Sequence, residues 1–201
     1  MDVERERRDW VLVSISTGAV ASLRVHVWRQ LHKLGAVYVQ QSVCILPDRP
    51  AVGQALARLL ARVRDQGGQA RTLRLQLSDP QEIEALVAEQ RTERDAEYAE
   101  VLERVPQFLA ELQQETARGR ATYAEVEESE ADLERFARWL SAIEARDYFQ
   151  AAGGDAARAA VQDCRTALAT FEQAALAADT TAEPARPAWP AKRRLRAADQ
   201  D

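Results

Sequence analysis

The sequence is poor in the residues that form metal sites and disulfide frameworks. Its 201 residues include two cysteines, Cys44 and Cys164, and two histidines, His26 and His32. Cysteines that are so few and so far apart are typical of the reducing cytoplasm, and we expect no disulfide. Because no histidine follows His32, a zinc site of ordinary ligand spacing is excluded. We therefore expect neither a metal nor another cofactor.

Long apolar runs are also missing. The longest apolar stretches are only a few residues long, far below the ~20 that a helix needs to cross a bilayer. The start, MDVERERRDW, is charged and is not followed by the apolar stretch of a secretory signal. The hydrophobic fraction of 46% is sufficient for a core. These features favour a cytoplasmic protein that is not associated with a membrane.

Charge is abundant, and it is unevenly distributed. Residues 1–80 hold 12 Lys and Arg against 7 Asp and Glu, residues 81–182 hold 10 against 22, and residues 183–201 hold 5 against 3. The net charges are therefore +5, −12 and +2, which sum to the −5 of the whole chain. A positive segment within an acidic chain is typical of proteins that bind a polyanion. Ordinary basic residues beside well-solvated acidic helices would give the same count.

The first 80 residues alternate between short apolar strands and amphipathic helices. Strands are predicted over 9–16, 36–40, 43–47 and 70–79, the last with Leu73, Leu75 and Leu77 facing inward by strict alternation. Helices are predicted over 21–34, with Ser22 as a cap, and from Pro50 to the glycines at 67 and 68. Their apolar stripes are Leu23, Val27, Leu31 and Leu34 on the first helix and Val52, Leu56, Leu59, Leu60 and Val63 on the second. The order βαββαβ predicts an α+β fold whose first part is a ferredoxin-like layer with its helices on one face.

Beyond Pro80 the apolar residues recur about every 3.6 positions, which predicts an antiparallel helical bundle. We expect helices over 81–115, with a kink or break at Pro106, over 125–149, and after a turn at Gly153, with Asp155 as the cap. From residue 180 onward, three prolines and the loss of periodicity predict a disordered basic tail. The predicted parts are therefore 1–80, 81–179 and 180–201.

Cationic side chains on the two helices of the first part are the candidate nucleic-acid-binding residues, because such side chains bind phosphate. Trp28 follows one turn after the first of them and would stack on a partner if it is exposed. The alternative is that Trp28 covers the junction with the acidic helices, whose carboxylates pair with the arginines. The run KRRLR at 192–196 would add an arm for nucleic acid, or it is a solvated terminus. The candidates are Arg24, Arg29, Lys33, Arg58 and Arg62, with Arg64 beside them.

A small oxyanion such as sulfate requires two or three convergent arginines or a helix N-terminus. Arg138, Arg146 and Arg165 are the candidates for inward-facing cations in the helical part. Asp147, next to Arg146, also suggests a simple structural ion pair at this position.

Catalytic chemistry receives little support. Glu127, Glu130 and Glu134 are at helical spacing and would form a carboxylate cluster for a cation. Metal sites in helical bundles normally add histidines, and none follows His32. A solvated face is the simpler interpretation, and we expect no catalytic residue.

Two long segments carry a family resemblance. They are LRVHVWRQLHKLGAVYVQQSVCILPDRP at 23–50, and EESEADLERFARWLSAIEARDYF with DCRTALATFEQAA at 127–149 and 163–175. Together they resemble the N-terminal region of the chromate-resistance regulator ChrB family, over residues 10–178. The resemblance implies a cytoplasmic, chromate-responsive transcriptional regulator that binds DNA, and we expect its helices to form a homodimer. Longer relatives continue into a second domain, whereas this sequence continues into a short basic segment.

The helix, glycine and hairpin around Gly35, Gln40, Ser42 and Val43 are also similar to the ferredoxin-like module of the phenylacetate repressor family and of small CRISPR-adaptation nucleases. Such nucleases hold a divalent metal with an acidic residue at the end of the first strand. The corresponding strand here ends SIST, so we do not expect nuclease activity. Two hypotheses remain: a DNA-binding regulator of a chromate-resistance operon, and a non-enzymatic accessory protein whose helical part binds a protein partner.

Overall fold

The computed structural model describes residues 7–119 and 122–182. Within those ranges the protein is a mixed α/β structure with a four-stranded antiparallel sheet and five helices. We call residues 9–76 the sheet half and residues 80–182 the helical half. The strands are β1 (Asp9–Ser16), β2 (Val37–Gln40), β3 (Val43–Pro47) and β4 (Gln69–Gln76), and the helices are α1 (Ala21–Lys33), α2 (Pro50–Asp65), α3 (Pro80–Ala117), α4 (Tyr123–Glu144) and α5 (Gly154–Ala182).

The strands of the sheet half lie in the order β2-β3-β1-β4. The central strand β1 pairs antiparallel with β3 and, along its whole length, with β4. Alternate residues of β1, namely Val11, Val13 and Ile15, are buried in the core that α1 and α2 cover. The predicted apolar stripes are buried there, except that Leu34 is only half-buried. The buried residues are Leu23, Val27 and Leu31 on α1 and Val52, Leu56, Leu59, Leu60 and Val63 on α2.

The opposite face of the sheet is only partly covered. Trp10 is fully buried there beneath the first turns of α3, and Phe149 stacks on it with ring centroids 5.7 Å apart. Leu75 and Leu77 pack half-buried against this cluster, but Leu73 is 58% exposed. The predicted inward position of Leu73 is therefore wrong. Alternation along β4 decides which face a side chain occupies, and the short overlap of α3 with the sheet decides what covers it.

Several predicted boundaries differ from the structure. Val20 is the N-cap residue of α1 and no side chain caps this helix, so Ser22 does not have the predicted role. Gly35 follows the helix with φ of +69°, as expected of a terminal glycine. The helix α3 continues through Pro106, so the predicted break is absent. The lost hydrogen bond and the ring clash cost about 3 kcal/mol, which the burial of Val105 and Phe108 on either side of the proline offsets.

The three helices of the helical half share one apolar core, in which α5 packs against both α3 and α4. The helix α4 ends at Glu144, earlier than predicted, so Phe149 is free to reach the sheet half. Asp155 lies in the first turn of α5 and does not precede the helix as a cap. Residues 180–182 belong to α5 and are not part of a disordered tail, and the remainder of that predicted tail lies outside the described residues.

No helix among the described residues combines the length and apolar character needed to cross a membrane.

Candidate nucleic-acid interface

The helices α1 and α2 form a strongly basic outer layer on the sheet half. Because their apolar stripes face the sheet, their polar side chains face solvent. The two helices contain six Lys and Arg and a single acidic residue, Asp65, which gives a net charge of 6 − 1 = +5. All five predicted contact residues are exposed, namely Arg24, Arg29, Lys33, Arg58 and Arg62. We call these five residues the basic layer.

No carboxylate neutralises the basic layer within the part of the chain that the structure describes. None of the ion pairs there involves a residue of α1 or α2. Arg24 donates to the carbonyl of Gly18 at 3.2 Å, and Arg64 donates to the carbonyl of Ala70 at 3.1 Å. A carbonyl oxygen orients a guanidinium but carries no net charge, so the positive potential of the layer persists.

A groove of about 310 Å³ runs between α1 and α2. Arg58 and Arg62, one helical turn apart, line its α2 wall, and His26 and Gln30 line its α1 wall. The sequence identified the two arginines as candidates but not His26, because a histidine on the border of an apolar stripe does not differ from a core residue. The groove brings charged and neutral hydrogen-bonding groups together along one line.

Trp28 lies on the other flank of α1 and is 53% exposed, so the alternative in which it covers the junction with the acidic helices is wrong. Its ring stacks on His32, with centroids 5.4 Å apart and an interplanar angle of 8°. Trp28 and Arg24 border a concavity of about 640 Å³ whose lining includes Tyr38 and Cys44. An exposed aromatic face thus lies beside a cation on the same helix.

The three arginines predicted to bind an oxyanion are not brought together. Arg138 is exposed and paired with Glu134 at 3.0 Å, and Arg165 is exposed and donates to Gln162 at 3.3 Å. Only Arg146 turns inward. It pairs with Glu97 on α3 at 2.9 Å, and not with the neighbouring Asp147 as the sequence suggested.

A buried charged network lies where the two halves meet, and the sequence did not reveal it. Arg94 is 1% exposed and pairs with Glu97 at 3.0 Å and with Glu93 at 3.2 Å. Arg146 contacts the same carboxylate oxygen of Glu97, so two guanidinium groups share one anion. On a long charged helix these residues look like a solvated face, because i,i+3 ion pairs are ordinarily exposed. Burial by the sheet half is a tertiary effect.

The same junction holds the C-terminal end of α1. The buried Gln90 donates its amide N–H to the carbonyl of Gly35, and the Tyr148 hydroxyl donates to the carbonyl of Leu34 at 3.1 Å. A Cβ atom at Gly35 would lie 2.9 Å from a terminal nitrogen of Arg94. The two carbonyls that directly follow α1 therefore receive hydrogen bonds from the helical half, which fixes the orientation of the basic layer relative to α3.

The family model described as "Protein ChrB, N-terminal" matches residues 24–182. The chain belongs to this family. Membership of the ChrB N-terminal family ties the protein to chromate resistance. The match extends from α1 to the end of α5, so the basic layer, the junction and the helical half all lie within it. A comparison with curated proteins gives no match.

The cysteines of this ChrB N-terminal chain are core residues. Cys44 and Cys164 are both buried and free. Burial raises the pKa of the Cys44 thiol to about 12 and that of the Cys164 thiol to about 11, so both are neutral at pH 7. Among the described residues there is no cluster of His, Cys, Asp or Glu that could hold a metal ion.

Tyr98 and Asp147 organise the connection between α4 and α5. The Tyr98 hydroxyl donates to Asp147 at 3.1 Å, and burial together with this carboxylate raises the pKa of Tyr98 well above its ordinary value. Asp147 also accepts from the backbone N–H of Ala151, and Asp95 accepts from that of Gly153 at 2.7 Å. The polar groups near this turn are thus bound within the protein, which points to a structural role.

Proposed function

We propose that this chain is a DNA-binding transcriptional regulator of chromate resistance, which contacts DNA phosphates through the basic layer. The observation that carries the proposal is the net charge of +5 on α1 and α2, none of it paired with a carboxylate in the described ranges. Phosphate contacts need cations that are exposed and free of competing anions, and the basic layer meets both conditions.

The arrangement of the cations supports contact along a strand. Arg29 and Lys33 are one turn apart on α1, and Arg58 and Arg62 are one turn apart on α2. The α2 row lines the α1–α2 groove, and the α1 row lies on the neighbouring helix. Trp28 would add a stacking surface on the remaining flank, because its ring is exposed.

We further infer that the sheet half is a ferredoxin-like module and that the helical half is an antiparallel bundle. The chain order βαββαβ, the sheet order β2-β3-β1-β4 and the common core of α3, α4 and α5 support this assignment. A sheet buried beneath α1 and α2 keeps the basic layer on rigid elements. The chromate response, a homodimer and a cytoplasmic location belong to the same proposal, and calorimetric titration with chromate and with sulfate tests the first of these.

The experiment is a fluorescence-anisotropy titration of the 201-residue chain with duplex DNA from upstream of its own gene, at about 50 and about 200 mM salt. We expect affinity to fall steeply between the two concentrations, because binding releases counterions. The double variant Arg29→Ala/Arg62→Ala should bind more weakly and lower the slope of log affinity against log salt by about 2, roughly one unit for each lost phosphate contact.

The matched control is Arg74→Ala/Arg118→Ala. It removes the same charge from two exposed arginines, which are paired with Asp48 and with Glu115. We expect the control to bind DNA like the wild type. An equal loss in both variants would assign the effect to net charge, and no salt-dependent binding by the wild type would contradict DNA binding and favour the accessory-protein hypothesis.

A further inference from the structure

The helices α3 and α4 enclose a groove at the end of the helical half. It consists of two adjoining concavities of about 350 and 330 Å³, which share Phe108, Glu111 and Asp132 in their linings. Phe136 and Trp139 line the first concavity, and Phe136 meets Phe108 edge-to-face with centroids 5.8 Å apart. One stretch of this groove therefore carries aromatic rings, and Arg104 lies over the Trp139 ring at 5.5 Å from its centroid. An apolar side chain can cover this stretch by packing on Phe136 beside that cation.

The second concavity is acidic. Its rim carries five carboxylates, and residues 123–134 of α4 include six Asp and Glu with no Lys or Arg. Two of the rim carboxylates have exposed partners, in the pairs Glu115–Arg118 and Asp132–Arg135. Such exposed pairs are weak and exchange readily with another cation. The five rim residues are Glu111, Glu115, Glu125, Glu128 and Asp132.

The chain itself contains a segment of complementary chemistry. Residues 189–196, WPAKRRLR, combine one tryptophan with four Lys and Arg and no acidic residue. The aromatic stretch of the groove matches the tryptophan, and the acidic rim matches the cations. By contrast, the basic layer would repel this segment, because both are positively charged.

The lengths of chain involved allow the segment to reach the groove. The helix α5 passes the groove at Phe171 and ends at Ala182, which is about 16 Å further along its axis at 1.5 Å per residue. Trp189 is seven residues beyond Ala182 and can lie up to about 25 Å from it. The chain can therefore turn back and place Trp189 on the groove of the same molecule.

We propose that residues 189–196 dock in the α3–α4 groove of their own chain, with Trp189 on the aromatic stretch and the cations on the acidic rim. The tether keeps the segment close to the groove, which raises its effective concentration there. A basic arm held in this way is withheld from other polyanions. That last consequence rests on the proposed DNA binding, whereas the docking itself does not.

Limited proteolysis of the 201-residue chain with trypsin tests the docking, because trypsin cleaves after Lys and Arg and the segment contains four of them. Cleavage at 192–196 is followed by mass spectrometry at low salt. We expect slow cleavage in the wild type and about fivefold faster cleavage in Glu125→Gln/Glu128→Gln, which loses two rim charges. Trp189→Ala should also be cleaved faster.

The control is Glu100→Gln/Glu103→Gln, which removes two exposed charges from α3 outside the groove. We expect it to be cleaved like the wild type. Equal cleavage rates in all four proteins, or equal acceleration by the control, would overturn the proposal. Protection that grows with protein concentration would also overturn it, by assigning the contact to a second copy. The assay contains no DNA, so its result is independent of the proposed function.

Discussion

Among the described residues, the arginines of α1 and α2 lie in solvent without a carboxylate partner, whereas the buried Arg94 and the half-buried Arg146 in the helical half surround Glu97. The same side chain thus has two environments in one molecule. The two environments differ in the number of nearby acidic residues, because α1 and α2 together contain one Asp or Glu while residues 81–182 contain 22. Exposed unpaired cations contribute little to stability and remain available to a partner, but buried ones depend on their counterion.

The largest expected effect distinguishes these two environments. Replacing the buried Arg94 by Met leaves the half-buried Glu97 with Arg146 as its remaining partner, and we expect a loss of about 3 kcal/mol in the free energy of unfolding. Arg29→Met removes an exposed cation and should change stability by no more than about 0.5 kcal/mol. Urea denaturation followed by circular dichroism measures both. A similar small change in the two variants would show that the junction network is not stabilising.

The next effect tests how closely the two halves approach each other. Gly35 and Gly18 both have positive φ, +69° and +58°, but only at Gly35 would a Cβ meet the other half. We expect Gly18→Ala to cost about 1 kcal/mol, the strain of the left-handed backbone alone. Gly35→Ala should cost about 2–3 kcal/mol, because Arg94 must also move. If denaturant titration gave equal losses of unfolding free energy for the two variants, the move of Arg94 away from residue 35 would cost no free energy.

The smallest effect compares the cores of the two halves. Cys44 lies in the core of the sheet half and Cys164 in that of the helical half. At pH 8 both thiols should react with iodoacetamide on the order of 100-fold more slowly than in the unfolded chain, since each must first be exposed by opening. Mass spectrometry of the labelled protein measures the two rates, and rapid labelling of one thiol would identify a loosely packed half.

These thiols also give stability a dependence on pH. The pKa of Cys44 rises from 9.0 to about 12 on folding, and that of Cys164 rises from 9.0 to about 11. The unfolded chain therefore releases these protons first. The contribution of the thiols is complete below pH 9 and declines as the pH rises toward 11 for Cys164 and 12 for Cys44. A free energy of unfolding that increased over this range would contradict the assignment.

Local patterns predicted much of the fold because they act over a few residues. The spacing of Leu23, Val27 and Leu31 predicted the buried stripe of α1, and the glycine after it predicted its end. Leu73 and Phe149 could not be placed in the same way. The exposure of Leu73 depends on where α3 crosses the sheet, and the stacking of Phe149 on a strand residue depends on a contact across 139 positions of sequence (149 − 10 = 139).

The same distinction between local pattern and tertiary contact applies to the candidate site. The identity of the basic layer was predictable, because cations opposite an apolar stripe must face solvent. That no carboxylate of the described ranges pairs with these cations was not predictable, since a chain with 32 acidic residues offers many. The junction network was missed altogether, because Arg94, Glu97 and Arg146 resemble an ordinary solvated face until the sheet half buries them.

The sequence by itself determined the helices and strands, their apolar faces and the segregation of charge, because these properties depend on neighbouring residues. Only the tertiary structure decided which charges are neutralised. Ion pairing requires opposite charges within about 4 Å of each other. The helix α3 presents Glu97 to Arg94 and Arg146 at that distance, while no carboxylate of the described residues pairs with α1 or α2. The basic layer therefore remains available for a polyanion because of how the two halves are joined.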